Sequence, residues 1–255
     1  MRSIPSSSLA YGFVCGTSGP HSSRTLALAD LRQLLCICPA SSGRINYRSA
    51  AVDENVLLKQ TMANRRSSIA HLRALYGLDP DQVVFRALRD LWDQDEHSQP
   101  ALAVLCALAR DTVLRSTVSA ILGAAPGERV PPEDLAHAAY QGLASSLSES
   151  TLAKIGRNTA ATWSQSGHLS PGREKSRCAV HPGPMMVVYA LFLGYLCGQR
   201  GQALYATDWA RLLDAPEYTL REQTIAASRA GWVEYRCSGD VTEITFRHLL
   251  RNEER

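Results

Sequence analysis

The chain has 255 residues, 45% of them hydrophobic and 20% charged, with a formal net charge of +3. That composition supports a buried core for one large domain or two small ones, and it excludes a disordered chain, a collagen-like repeat and a disulfide-stapled miniprotein. The seven cysteines, at 15, 36, 38, 106, 178, 197 and 237, follow no framework spacing and point to a reducing cytoplasm.

Residues 1–21 are rich in Ser, Gly and Pro, with one early Arg and no continuous apolar run. This pattern argues against a secretory signal and predicts a flexible tail. Leu26, Leu28, Leu31, Leu34 and Leu35 then fall on a helix of about 16 residues that stops before Pro39, with a loop over 40–46. Ile69, Leu72, Leu75 and Tyr76 follow at helical spacing, closed by Gly77. Asp79 and Pro80 open the next helix, whose stripe is Val83, Val84, Leu88, Leu91 and Trp92. Two helices over 99–110 and 111–124 come next. A Pro-Gly stretch punctuates the chain, and a short helix then runs from Pro131 to about Leu143. Ser148 or Ser150 caps a helix carrying Leu152, Ile155, Thr159 and Trp163 on one face, ended by Gly167. Residues 171–184 read as a loop or hairpin. The run 184–199 is the most apolar of the chain, and it is too short for a hydrocarbon core that needs about 20 residues. It therefore reads as a buried central helix, with no membrane insertion.

The last fifty residues carry the sharpest pattern. Thr207 or Asp208 caps a short helix, and a turn at Pro216 leads to a second helix over 219–230. The runs WVEYRC and VTEITF alternate like strands, joined by Ser238-Gly239-Asp240. Helix, turn, helix and a two-stranded ribbon is the order of a winged helix. The expected architecture is mainly α: a tail over 1–21, a helical domain over 22–145, and a winged-helix-like domain over 146–255 carrying a small β-hairpin.

A winged helix presents its second helix to the major groove. Leu220, Ile225 and Ala226 are expected to face the core there, leaving Arg221, Gln223, Thr224 and Arg229 for DNA, with Arg236 on the wing. Two further basic clusters suit phosphates. Lys59, Arg65, Arg66 and Arg73 have no acid among them, and Lys154, Arg157, Arg173, Lys175 and Arg177 face only Glu174. Catalytic signatures are weak. Cys178 with His181 and Cys36 with Cys38 have permissive metal spacing but no second half, and Asp93, Asp95 and Glu96 read as a solvated helix end. No phosphate-loop, dinucleotide or nucleophile-elbow motif is present. No cofactor or metal is expected.

The order of these motifs resembles the BrxA family of BREX bacteriophage-defence systems. The likeness runs from Ser23-Arg24, through Glu54-Asn55-Val56-Leu57-Leu58-Lys59 and the basic helix ending Leu72-Arg73-Ala74-Leu75-Tyr76, to the Ser-capped helix between Leu147 and Leu169. It covers about residues 22–170, and the winged-helix-like end lies outside it. The resemblance implies a non-enzymatic, mainly helical accessory protein that binds double-stranded DNA, with other proteins of the same defence operon as partners. The competing expectation is a protein scaffold, docking through Asp90–Glu96 and the apolar segment 184–199.

Overall fold

The computed structural model describes residues 4–143, 147–239 and 241–251. The chain is mainly helical. In order run α1 (Leu28–Ile37), α2 (Arg44–Val52), α3 (Met62–Tyr76), α4 (Val83–Trp92), α5 (Gln99–Arg110), α6 (Thr112–Ser116) and α7 (Val118–Gly123). They are followed by α8 (Pro132–Gly142), α9 (Glu149–Gln165), α10 (Pro184–Leu196), α11 (Asp208–Arg211) and α12 (Glu217–Arg229). The hairpin β1 (Glu234–Ser238) and β2 (Val241–Thr245) closes the fold, antiparallel, with Glu234 opposite Thr245 and Ser238 opposite Val241. Gly239 takes a left-handed φ of 58° in its turn, and Asp240 lies outside the described residues.

Local chemistry sets most helix ends. The Thr61, Ser148 and Thr207 hydroxyls accept from Asn64, Thr151 and Ala210 backbone N–H groups, capping α3, α9 and α11. Gly77, at φ 89°, ends α3 in a conformation that disfavours any side chain. The expected loop over 40–46 is shorter than predicted, because Gly43 starts α2 and the Asn46 side chain accepts its backbone N–H.

The core centres on α10. Nearly every residue from Met185 to Leu196 is buried, and α4, α5, α11 and α12 pack around it. The apolar run is thus enclosed over 185–194, where it offers no surface for the scaffold reading. Among the described residues no helix is long and apolar enough to cross a membrane. The boundary expected at 145–146 falls outside the described residues; Leu31, Leu88 and Leu105 before it, and Trp163, Phe192 and Ile244 after it, belong to one apolar cluster. α8 and α9 pack closely: a Cβ on Gly156 would stand 2.2 Å from the Pro132 carbonyl oxygen.

The N-terminal segment overturns its expectation as a flexible tail. Residues Ser6–Tyr11 form a 3-10 helix, the buried Ser8 hydroxyl donates to the Leu196 carbonyl (2.9 Å), and Phe13 packs edge-on against Trp209. His21 is sealed from solvent. Its Nδ1–H donates to Asp111 Oδ2 (2.7 Å), its Nε2 meets Thr162 Oγ1 (2.8 Å), and its backbone N–H also reaches Asp111. All these partners lie far along the chain, so local composition gives no sign of them.

A second buried imidazole, His168, follows α9. Nε2–H donates to the Leu212 carbonyl (2.9 Å), so Nδ1 accepts from the Ser166 hydroxyl (2.9 Å). Burial lowers its pKa from 6.5 to about 4. The unfolded chain therefore binds a proton that the folded chain refuses between those values, and stability falls as pH drops through that window. Urea melts at pH 7 and pH 5 should show a lower midpoint at pH 5. His168→Gln should flatten that dependence, leaving the smaller part due to His71, whose pKa burial also lowers.

Candidate nucleic-acid interface

The sequence-predicted basic residues separate into three groups. The first is structural. Arg177 is buried and donates to the Ile121 carbonyl (3.0 Å), to the His168 and Cys178 carbonyls and to the Asp214 carboxylate. It ties loop 170–180 to the end of α11 and cannot reach a phosphate. Thr224 is likewise buried, accepting from the Tyr205 hydroxyl (3.0 Å) and donating to the Leu220 carbonyl (2.8 Å). These are corrections to the expected DNA-contacting set.

The second group is engaged at the surface. Lys59 forms an ion pair with Asp30 at 2.8 Å. Arg65 turns back to the Val52 carbonyl (3.1 Å), closing the end of α2. Lys175 reaches the Ser170 carbonyl. Arg221 pairs with Glu217 (2.7 Å) and reaches toward Tyr235, while Arg236 lies 4.0 Å from Glu243. The helix begins at Glu217, two residues earlier than expected, and its buried face is Leu220, Thr224 and Ala227, in place of the expected Ile225 and Ala226. Its outer face therefore mixes Glu217 and Glu222 with Arg221 and Arg229, beside the half-buried Gln223. A winged-helix reader with that balance repels a phosphate as much as it attracts one.

The third group is exposed and makes no side-chain hydrogen bond or ion pair among the described residues: Arg66 and Arg73 on α3, Lys154 and Arg157 on α9, Arg173 and Arg229. Arg157, Arg173, Lys175 and Arg129 line a groove of about 850 Å³, but Glu133, Glu149 and Glu174 line it too.

A larger concavity, with fewer carboxylates, lies elsewhere. A groove of about 1090 Å³ runs between α3 and α9, with α1 and the segment 23–25 along it. Arg24, Arg32 and Lys59 line it, and Asp30, already held by Lys59, is its one carboxylate. The Ser68 and His71 side chains come from α3, and Asn158 and Gln165 from α9. Lys154 stands one turn before Asn158 on the same face of α9. The geometry is fixed by cross-bonds. The Asn158 amide donates to the His21 carbonyl (3.0 Å), the Thr162 hydroxyl accepts from Leu26 N–H (2.9 Å), Tyr76 OH donates to the Leu26 carbonyl (2.7 Å) and His71 Nε2–H to the Thr25 carbonyl (2.7 Å). Arg24 and Arg32 have no sequence signature because neither has another Lys or Arg close by in the chain, and only the fold brings them beside Lys59.

The Asp111–His21–Thr162 row has the order of a hydroxyl–imidazole–carboxylate relay. All three side chains are fully buried and Thr162 Oγ1 already accepts from Leu26, so the row locks the fold. Burial raises the Asp111 carboxyl, and the His21 hydrogen bonds and charge more than offset this, leaving it below its ordinary range. Asp93 pairs with Arg89, and Asp95 caps the turn at 96–98, which accounts for two of the three acids at the end of α4. Among the described residues no group of three or more His, Cys, Asp or Glu gathers as a metal site. Comparison with known proteins gives no match to a family model and no match to a curated protein.

The buried Arg177–Asp214 pair gives a direct check on the structural role of Arg177. Asp214→Ala leaves the guanidinium buried without its carboxylate and should cost about 3 kcal/mol in a urea melt. The polyanion affinity of the folded protein should stay unchanged.

Proposed function

We propose that the protein binds duplex DNA through its phosphates, along the groove between α3 and α9, as a non-enzymatic accessory factor of a bacteriophage-defence system. The observation that carries the reading is the groove's charge: Arg24, Arg32 and Lys59 against the single carboxylate Asp30, with the unpaired Lys154 at its α9 side. Polyanion binding draws its affinity from such clusters, because each phosphate neutralised releases a counterion. The resemblance to the BrxA family supports duplex DNA as the polyanion and supports partners from the same operon. The seven unpaired cysteines agree with work in a reducing cytoplasm. The winged-helix-like end carries compensated charges, which favours a supporting role for it.

A second reading, docking to a protein partner, has its own observation. Tyr218 and Val241 are 69% and 71% exposed near that same charge-balanced surface.

Fluorescence anisotropy with random-sequence duplex at several salt concentrations separates the two. Binding should be micromolar or tighter at low salt and fall steeply as salt rises. Arg24→Gln with Arg32→Gln should weaken it about tenfold and lower the salt slope by about 0.9 for each phosphate that is no longer neutralised. An equal affinity in that double variant removes the groove from the reading. Absence of binding at low salt, together with co-purification of a partner that Tyr218→Ala abolishes, moves the assignment to protein docking.

A further inference from the structure

On the other side of α3 lies a depression of about 280 Å³ that the duplex groove does not include. Arg44 enters it from α2, Arg73 from α3 and Arg110 from α5, beside Ala74 and Gln82. We propose that these three guanidinium groups form a discrete site for a single phosphoryl group. The inference deepens the phosphate-binding reading and rests on it for one of two sources of that group, a backbone phosphodiester; the other source is a small phosphomonoester.

The geometry carries the argument. Arg110 is held by three neutral acceptors, the Gly12 carbonyl (2.6 Å), Gln82 Oε1 (2.6 Å) and the Ala74 carbonyl (3.4 Å). Its Nη2 donors make no hydrogen bond among the described residues. Arg44 gives Nε to Asp79, at 2.8 Å, and its Nη donors make no hydrogen bond among the described residues. Arg73 is exposed, and its side chain makes no hydrogen bond or ion pair among the described residues. Three cations thus share one carboxylate in a small concavity. Their mutual repulsion is relieved by an anion, and the planar fork of a guanidinium suits a tetrahedral oxyanion. Burial lowers the Arg110 pKa, and the like charge of Arg44 acts in the same direction. Gly77 keeps the depression open: a Cβ there would stand 2.3 Å from Gln82 Oε1 and 3.4 Å from Arg110 Cζ. Arg44 and Arg110 lie outside both sequence clusters, and their convergence on Arg73 is a product of packing.

The test uses the full chain and Ala74→Glu, which puts a carboxylate on an exposed wall of the depression, with Arg73→Gln as the second variant. The probes are random-sequence duplex by anisotropy, and inorganic phosphate and adenosine monophosphate by thermal melting. A backbone source predicts duplex binding weakened about tenfold in both variants, with no effect of the small probes. A phosphomonoester source predicts that millimolar phosphate or the monophosphate raises the wild-type Tm by about 3 °C, a shift abolished in both variants. Duplex binding that is unchanged in both variants, with no variant-sensitive melting shift, overturns this site and leaves the α3–α9 groove standing. If the wild type binds neither duplex nor the small probes, both readings fall. Should Ala74→Glu fail to fold by circular dichroism, Arg73→Gln alone decides, because the Arg73 side chain holds no partner on which folding depends.

Discussion

A helix with no polar side has to be enclosed on every side, and α10 imposes that condition on everything around it. Each fully buried Leu, Val or Phe contributes about 1.5–3 kcal/mol, so exposing even one flank is prohibitive. The single strongly polar group among its central residues, the Tyr189 hydroxyl, donates to the Val84 carbonyl (2.9 Å) and leaves no unmet demand. Enclosure draws in α4 and α5 from the first half of the chain and α11 and α12 from the second. The chain after the hairpin returns to the same helix, where Phe246 packs 5.3 Å from both Phe192 and Tyr195. The winged-helix-like end is therefore welded to the bundle through the helix it helps to cover.

Polar groups inside this bundle give it a particular arrangement where apolar contacts give only compaction. Asp111 caps α6 with one oxygen and receives His21 with the other. Thr162 joins that row from α9, and Trp163, one residue on, donates to the Thr117 hydroxyl (2.9 Å). Each bond is costly to leave unmade in a dry interior, so helices placed slightly differently would strand several partners at once. The segment 21–26 is the common member. It is bonded from α3 on one flank and from α9 on the other, and it sets the width of the groove in which Arg24, Arg32 and Lys59 meet.

Much of this fold is legible from periodicity and punctuation. The Ser148 cap, the Gly77, Gly167 and Gly231 stops, the buried run after Pro184 and the hairpin between Glu234 and Thr245 all express short-range rules. The departures share a cause. His21, Phe13 and Ser8 sit in a stretch whose composition resembles a linker, and their partners lie 90 or more residues away. The buried face of α12 differs from its pattern because Thr224 counts as polar there, although its hydroxyl is satisfied by the helix itself and by Tyr205. The candidate site is half legible. Clusters within one segment contain Lys59, Arg73 and Lys154. Clusters assembled from several segments, such as Arg44 with Arg73 and Arg110, have no sequence signature. Charge counting also overstates Arg177, because burial beside Asp214 is invisible in composition.

The hydrogen bond from Ser8 to the Leu196 carbonyl spans 188 residues of chain. On a ribosome adding ~5–20 residues per second, about 10 to 40 s separate the emergence of its two ends. During that interval Phe13 has no Trp209 to meet, and the Ser8 hydroxyl and the His21 imidazole lack the partners they later find in α10 and α9. A segment translated before the helices that receive it is thus among the last to be seated. A nascent chain therefore carries Ser8 and Phe13 uncovered until α10 and the turn beyond it exist, which makes the order of synthesis run opposite to the order of closure.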